Sequence, residues 1–261
     1  MDKNSVIGFL LIIAVIFGFS YFNRPSEEQQ KQQREEQPAE EKQLQDTKTA
    51  TVANEKTTAA NDSIFTDNGE QPRLVVLKSN DITVGINTRG GSVGNVVLKN
   101  YKGQDKKPLL LYCDEYAKMS FTLAGKKSDI NTSSLMFRPE NVTDSTVTMV
   151  AQAANGGKLS ISYKLHDGFV LDMDVKADGM QEYLLPTSKI LGLEWSERLK
   201  QQERGYKFEN QYAALTYKEA DGGTDRLDPQ KEEEKSLEES LDWISFKDQF
   251  FGVTLIADAG L

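Results

Sequence analysis

From Ser145 to Ala177 the chain alternates apolar and polar residues with a period of two, interrupted only by short Gly- or Asn-containing turns. Val147, Met149 and Ala151 share one side of a first segment, which ends at Asn155, Gly156 and Gly157. Leu159, Ile161, Tyr163 and Leu165 then alternate with Lys158, Ser160, Ser162 and Lys164. After His166, Asp167 and Gly168, the series Phe169, Leu171, Met173 and Val175 alternates with Val170, Asp172, Asp174 and Lys176. A helix cannot place residues spaced by two on one face, whereas successive strand side chains point to opposite faces. The stretch therefore predicts a three-strand antiparallel meander with one face buried and one in water.

The rest of the chain beyond Pro72 follows the same pattern. Leu74 to Lys78, Ile82 to Ile86 and Val93 to Tyr101 read as strands separated by turns at Ser79–Asp81 and Arg89–Gly91. Leu109 to Tyr112, Ser120 to Leu123 and Leu135 to Arg138 are shorter candidates, and Leu191 to Trp195 and Tyr212 to Lys218 are further ones. Gln201 to Gly205 holds a candidate helical turn, and the acidic tract from Asp221 to Glu239 reads as an excursion or short helix. Trp243 to Phe246 and Phe250 to Ile256 close the chain as two β-like runs. Many short strands at close spacing predict a mainly β protein built as a large antiparallel sandwich over 71–261. An apolar strand directly before Leu261 suggests a domain cut near its C-terminal end.

A different physics governs the N-terminus. Ser5 to Phe22 contains no charged residue, and its 18 positions would rise about 27 Å as a helix, near the thickness of a bilayer's hydrocarbon core. Gly18 and Ser20 imitate a signal-peptidase site, but Phe19, Tyr21 and Phe22 continue the apolar run and add interfacial aromatics, which favours an uncleaved anchor over residues 1–22. Lys3 on one side and Arg24, Lys31 and Arg34 on the other leave its orientation open. No cysteine lies nearby, which excludes a lipidated N-terminus. Residues 23–70 are rich in Gln, Glu, Lys, Thr and Ala and have almost no large apolar residue before Ile64, the composition of a solvated, disordered tether.

Charge and rare residues remove several functions. The net charge of −9 argues against nucleic acid, whose phosphates need clustered Lys and Arg. Cys113 is the only cysteine, so no internal disulfide forms, and its place beside Leu109–Leu111 predicts a buried structural thiol. One histidine, His166, removes multi-histidine zinc sites.

The remaining chemical patterns each have a simpler structural reading. Gly90-Gly91-Ser92-Val93-Gly94 fits the G-x-S-x-G nucleophile elbow, but that motif requires a helix where Val96, Val97 and Leu98 continue a strand. His166 beside Asp167 resembles a base and its orienter, yet both fall on a hairpin turn. Asp172 and Asp174 share the wet face of one strand without the loop that calcium needs or the cleft that a glycosidase needs. Glu232 to Glu234 reads as a solvated face, and the glycosylation sequons at Asn61, Asn131 and Asn141 are short enough to arise by chance. The sequence thus assigns no catalytic, cofactor-binding or metal-binding residue, no cofactor, and no identified binding residue.

Three stretches together resemble a known family: MDKNSVIGFLLI from Met1 to Ile12, TRGGSVGNVVLKNY from Thr88 to Tyr101, and DWISFKDQFF from Asp242 to Phe251. With the intervening Gln/Glu-rich tract, this order is similar to the front half of YidC-type membrane protein insertases, in the form found in the Bacteroidetes lineage. The resemblance covers essentially the whole chain. It implies a periplasmic β-supersandwich of the galactose-mutarotase type, held to the bacterial inner membrane by Ser5–Phe22 with the N-terminus in the cytoplasm. It further implies a tight turn at Gly90 and Gly91, core positions for Trp243, Phe250 and Phe251, and no enzymatic activity. The implied partners are the lipid bilayer, nascent membrane proteins and components of the Sec translocon, and the implied role is scaffold or docking surface for an insertion core beyond Leu261. Two other classes are compatible with the residues: an anchored carbohydrate-binding module, and a mutarotase-type enzyme whose acid–base pair would have to include His166.

Overall fold

Hairpin after hairpin, the chain builds antiparallel sheets. The computed structural model describes residues 64–66, 69–188, 190–202, 205–228, 231–258 and 261. The expected anchor at Ser5–Phe22, nearly all of the expected tether and the sequon at Asn61 lie outside the described residues. Among the described residues no helix is long and apolar enough to cross a membrane.

The first sheet has the order β1-β2-β3-β4, formed by β1 (Leu74–Lys78), β2 (Ile82–Asn87), β3 (Val93–Lys102) and β4 (Pro108–Cys113). The second is a meander of β7 (Arg138–Glu140), β8 (Thr146–Gln152), β9 (Lys158–Leu165) and β10 (Leu171–Asp178). Its register pairs Met149 with Ile161 and Met173 with Tyr163, which puts the alternating apolar residues of Ser145–Ala177 on one face. A third sheet joins β5 (Ala117–Leu123) to β6 (Ile130–Asn131) and, across a long sequence gap, to β11 (Leu191–Glu197). The fourth has the order β13-β12-β14-β15, from β12 (Ala214–Glu219), β13 (Thr224–Leu227), β14 (Leu241–Lys247) and β15 (Gly252–Ile256). Every named strand pairing is antiparallel, as the sequence pattern requires.

The core is the set of inward residues that the alternation supplies. Leu77, Val84, Ile86 and Leu109 from the first sheet meet Val147, Met149, Leu159, Ile161 and Tyr163 from the second, with Phe121 and Ile130 from the third. Fully burying one such side chain stabilises the fold by about 1.5–3 kcal/mol, so one face of the meander accounts for much of the domain's cohesion. β10 lies at the sheet edge, and its Leu171, Met173 and Val175 are only half-buried against this core.

The structure corrects several expectations. Leu135 and Phe137 are buried, but they do not form a strand; a 3-10 turn at Thr132–Ser134 precedes them and β7 begins only at Arg138. The helical segment falls later than expected, as α1 (Tyr206–Tyr212), and this moves the start of β12 from Tyr212 to Ala214. The acidic tract contributes a strand: Leu215 pairs with Leu227 and Lys218 with Thr224, giving β12 a partner on its outer side. Cys113 is a free thiol, half-buried rather than fully enclosed. Phe250 is not a core residue but is 64% exposed, whereas its neighbour Phe251 packs against the core and Trp243 is half-buried. The cause is a turn: Asp248 Oδ1 accepts the backbone N–H groups of both Phe250 (2.8 Å) and Phe251 (2.7 Å). That Asx geometry tightens the β14–β15 connection, and the two adjacent rings diverge.

Candidate functional site

The expected turn at Gly90 and Gly91 is present, and it anchors two sheets to each other. Both glycines have left-handed backbones, with φ of +81° and +67°. A Cβ on Gly91 would lie 3.0 Å from Phe137 Cδ2 and 3.1 Å from Ile161 Cδ1, so glycine is required by conformation and by space. The Gly90 N–H donates to the Leu135 carbonyl at 2.9 Å, and the fully buried Tyr163 hydroxyl donates to the Gly91 carbonyl at 2.7 Å. Ser92 leads directly into β3, with no helix behind it. This serine therefore lacks the strand–turn–helix setting of a hydrolase elbow.

His166 does not join Asp167. Its Nε2 lies 2.6 Å from Asp172 Oδ2 across the mouth of the β9–β10 hairpin, with both side chains well exposed to solvent. Asp174 faces Lys176 at 3.5 Å on the same outward side of β10. The His166–Asp172 hydrogen bond and the Asp174–Lys176 ion pair are separate surface contacts, and an exposed ion pair is worth about 1 kcal/mol or less. Asn131 caps the 3-10 turn by accepting the Ser133 N–H at 2.9 Å, and its amide donates to Thr122 Oγ1 at 3.0 Å. Among the described residues no group of three or more His, Cys, Asp or Glu side chains is placed to hold a metal ion.

The polar cluster with the most perturbed chemistry is one that the sequence reading missed. Tyr112 on β4, Glu197 on β11 and Asp248 just after β14 come from three different sheets and are linked by charge interactions through Glu197, while Trp195 on β11 packs on Phe246 of β14. The Trp195 ring packs edge-on against Phe246 at 4.8 Å and 82°. Two residues further along both segments, Glu197 and Asp248 come close enough for their charges to interact. Burial first, and then the Asp248 charge, push the Glu197 carboxyl from the usual carboxylate range up to about 7. Burial, aided by the negative charge of Glu197, raises the Tyr112 hydroxyl far above its ordinary value. Tyr112 Oη, Trp195 Nε1 and Glu197 Oε2 are buried without a protein hydrogen-bond partner. Tyr112 and Glu197 also line a narrow cleft with Leu110, Tyr116 and Arg198, with room for about one water molecule.

The cluster can hold and release a proton near neutrality, but it has neither the volume nor the convergent donors for an organic substrate. A sequence signal for it exists. Leu193, Trp195 and Glu197 occupy one face of a strand by their spacing, so a carboxylate continues a face begun by apolar residues. Nearby, the buried Glu209 on α1 accepts the Gln202 N–H at 2.6 Å, and the Gln202 amide donates to the Leu110 carbonyl at 3.0 Å. Helix α1 is thereby fastened to β4.

Residues 74–261 match the family described as the YidC periplasmic domain. Similar proteins include a membrane protein insertase YidC from Phocaeicola vulgatus, 38% identical with 99% of this chain and 43% of the relative covered. Another from Bacteroides fragilis is 37% identical over 99% of this chain and 43% of its own length. One from Porphyromonas gingivalis is 34% identical, with 99% and 44% covered. The chain thus spans less than half the length of the curated relatives it matches. The family match covers every β-strand described above, and the expected resemblance at Thr88–Tyr101 and Asp242–Phe251 falls inside it. The chain belongs to the YidC periplasmic domain family.

Proposed function

We propose that this chain is the membrane-tethered periplasmic portion of a membrane protein insertase, serving as a scaffold and docking platform for an insertion core supplied by the rest of such a protein. The observation that carries this reading is similarity along 99% of the chain to insertases that extend well past it. In this reading Ser5–Phe22 is an uncleaved anchor in the inner membrane, and residues 23–70 hold the β domain on the periplasmic side. Substrates are nascent membrane proteins, and Sec translocon components are partners. No covalent chemistry is asked of the β domain. Its surface ion pairs and sheet edges serve shape and contact, and the buried Gly90–Gly91 turn and Tyr112–Glu197 cluster serve the junctions between sheets.

The test is a chimera. This chain replaces the corresponding front portion of the Phocaeicola vulgatus insertase, and the product is expressed in cells depleted of their own insertase. Restored growth and restored insertion of a reporter membrane protein are expected, together with reduced insertion when residues 71–261 are deleted from the chimera. A chimera that accumulates normally in the membrane but restores nothing refutes the reading. Equal insertion with and without residues 71–261 refutes the docking role.

A further inference from the structure

Three hairpins from different sheets bring their tips to one place. Tyr101, at the end of β3, lies 5.5 Å edge-on from Phe251 at the β14–β15 turn and 6.5 Å from Phe169 at the β9–β10 turn. Phe251 is the packed member of this group. Tyr101, Phe169, Val170 and Phe250 are 46%, 58%, 57% and 64% exposed, respectively. The exposed side chains stand on hairpin tips that the Tyr101 contacts bring together, with Phe250 on the same turn as Phe251, and form an apolar knob. The connection that follows Tyr101 carries exposed Lys102, Lys106 and Lys107 against Asp105 alone, on a chain whose net charge is −9. The acids nearest the other tips are Asp167, Asp172 beside His166, and Asp248, whose carboxylate is occupied by the turn.

An amphipathic tyrosine and protruding phenylalanines beside lysines match what the bilayer interface selects: aromatics at headgroup depth and cations toward anionic lipid. We propose that the knob formed by Tyr101, Phe169, Val170 and Phe250 is a membrane-docking surface that seats in the headgroup layer of an anionic phospholipid bilayer. The proposal rests on the reading of the chain as membrane-tethered. A tether raises the local concentration of lipid around the domain, so a weak interfacial contact is enough to orient it. Seating the knob would turn the opposite end of β9, at Lys158, away from the membrane.

The full chain is reconstituted into vesicles of phosphatidylcholine with phosphatidylglycerol. An environment-sensitive fluorophore is placed at Phe169→Cys or Lys158→Cys in a Cys113→Ser background, and spin-labelled lipid is the quencher. Quenching at position 169 is expected to exceed that at 158 by about twofold or more, and to fall in pure phosphatidylcholine or with Lys102→Glu, Lys106→Glu and Lys107→Glu combined. Hydrogen exchange of the unlabelled wild-type chain, with and without vesicles, supplies the same answer if a cysteine variant misfolds: protection confined to the three tips supports the proposal. Equal quenching at both positions, or tips that gain protection only when other membrane proteins are present, overturns it. Alkaline extraction separates the two readings. A chain released by alkali refutes the anchor, and quenching by added vesicles then still decides the knob.

Discussion

Glu197→Gln isolates the carboxyl pushed furthest from its ordinary range among the described residues. In the folded chain its ionisation is displaced from about 4.5 to about 7 by burial and by the Asp248 charge. For a fully shielded group a displacement of that size corresponds to about 3 kcal/mol, and because Glu197 keeps some contact with water the contribution here is about 1–2 kcal/mol. The direction follows from which form the fold prefers. The folded state holds the Glu197 proton more tightly than the unfolded chain, so the stabilisation is complete below pH 4.5 and is lost as pH rises towards 7. Glutamine copies the neutral carboxyl in shape and cannot ionise. Urea unfolding of the full chain is followed by tryptophan fluorescence, for which Trp195, two residues away and edge-on to Phe246, is a local reporter. Wild type is expected to lose about 1–2 kcal/mol between pH 5 and pH 8, the variant to lose that much less, and the two to agree at pH 4. Parallel stability–pH curves for wild type and variant would refute the argument that a buried, charge-opposed carboxylate is what the junction tolerates.

Other expectations follow from single contacts. Tyr163→Phe leaves the buried Gly91 carbonyl without its donor and should cost about 1–3 kcal/mol in the same unfolding assay; an unchanged midpoint would mean that water replaces the hydroxyl. Gly91→Ala meets both a φ of +67° and the Phe137 and Ile161 side chains, whereas Gly156→Ala meets a φ of +87° and open space. The first should therefore destabilise by about 2 kcal/mol or more and the second by about 1 kcal/mol, and equal losses would refute the packing argument. Glu209→Ala should release α1 from β4, read as faster proteolysis within 199–212 and slower cleavage restored by Glu209→Gln. Hydrogen bonds led by that from Lys235 hold the Asp225 carboxyl down at about 2, so Lys235→Ala should let it titrate nearer its ordinary value in a carboxyl NMR titration. Any stability from that exposed pair is present above the ordinary carboxylate range and lost as pH falls towards 2.

Local chemistry made much of this domain legible. Leu159–Leu165 alternates strictly because β9 has one face in the core, and its pairing with β8 puts Val147, Met149 and Ala151 on that same face. Gly90 and Gly91 announced a turn, since few other residues adopt a left-handed backbone at low cost. The polar tract from Asp221 to Glu239 concealed β13 because this short strand is stabilised by pairing with β12, not by burying a face of its own. Phe250 was misplaced for a related reason. Period-two reasoning assigns alternating faces, but the Asp248 carboxylate folds the backbone into a turn where the alternation does not hold.

The sequence by itself determined the class of fold, the meander and the family, because periodicity, turn residues and motifs are properties of neighbours along the chain. Only the tertiary structure decided that Tyr112, Glu197 and Asp248 share one buried junction and that Tyr101, Phe169 and Phe251 bring three hairpin tips together. Those groupings join residues some 50 to 150 positions apart. Their chemistry comes from what burial does to a carboxylate and what exposure does to an aromatic ring, and neither is fixed until the sheets have packed.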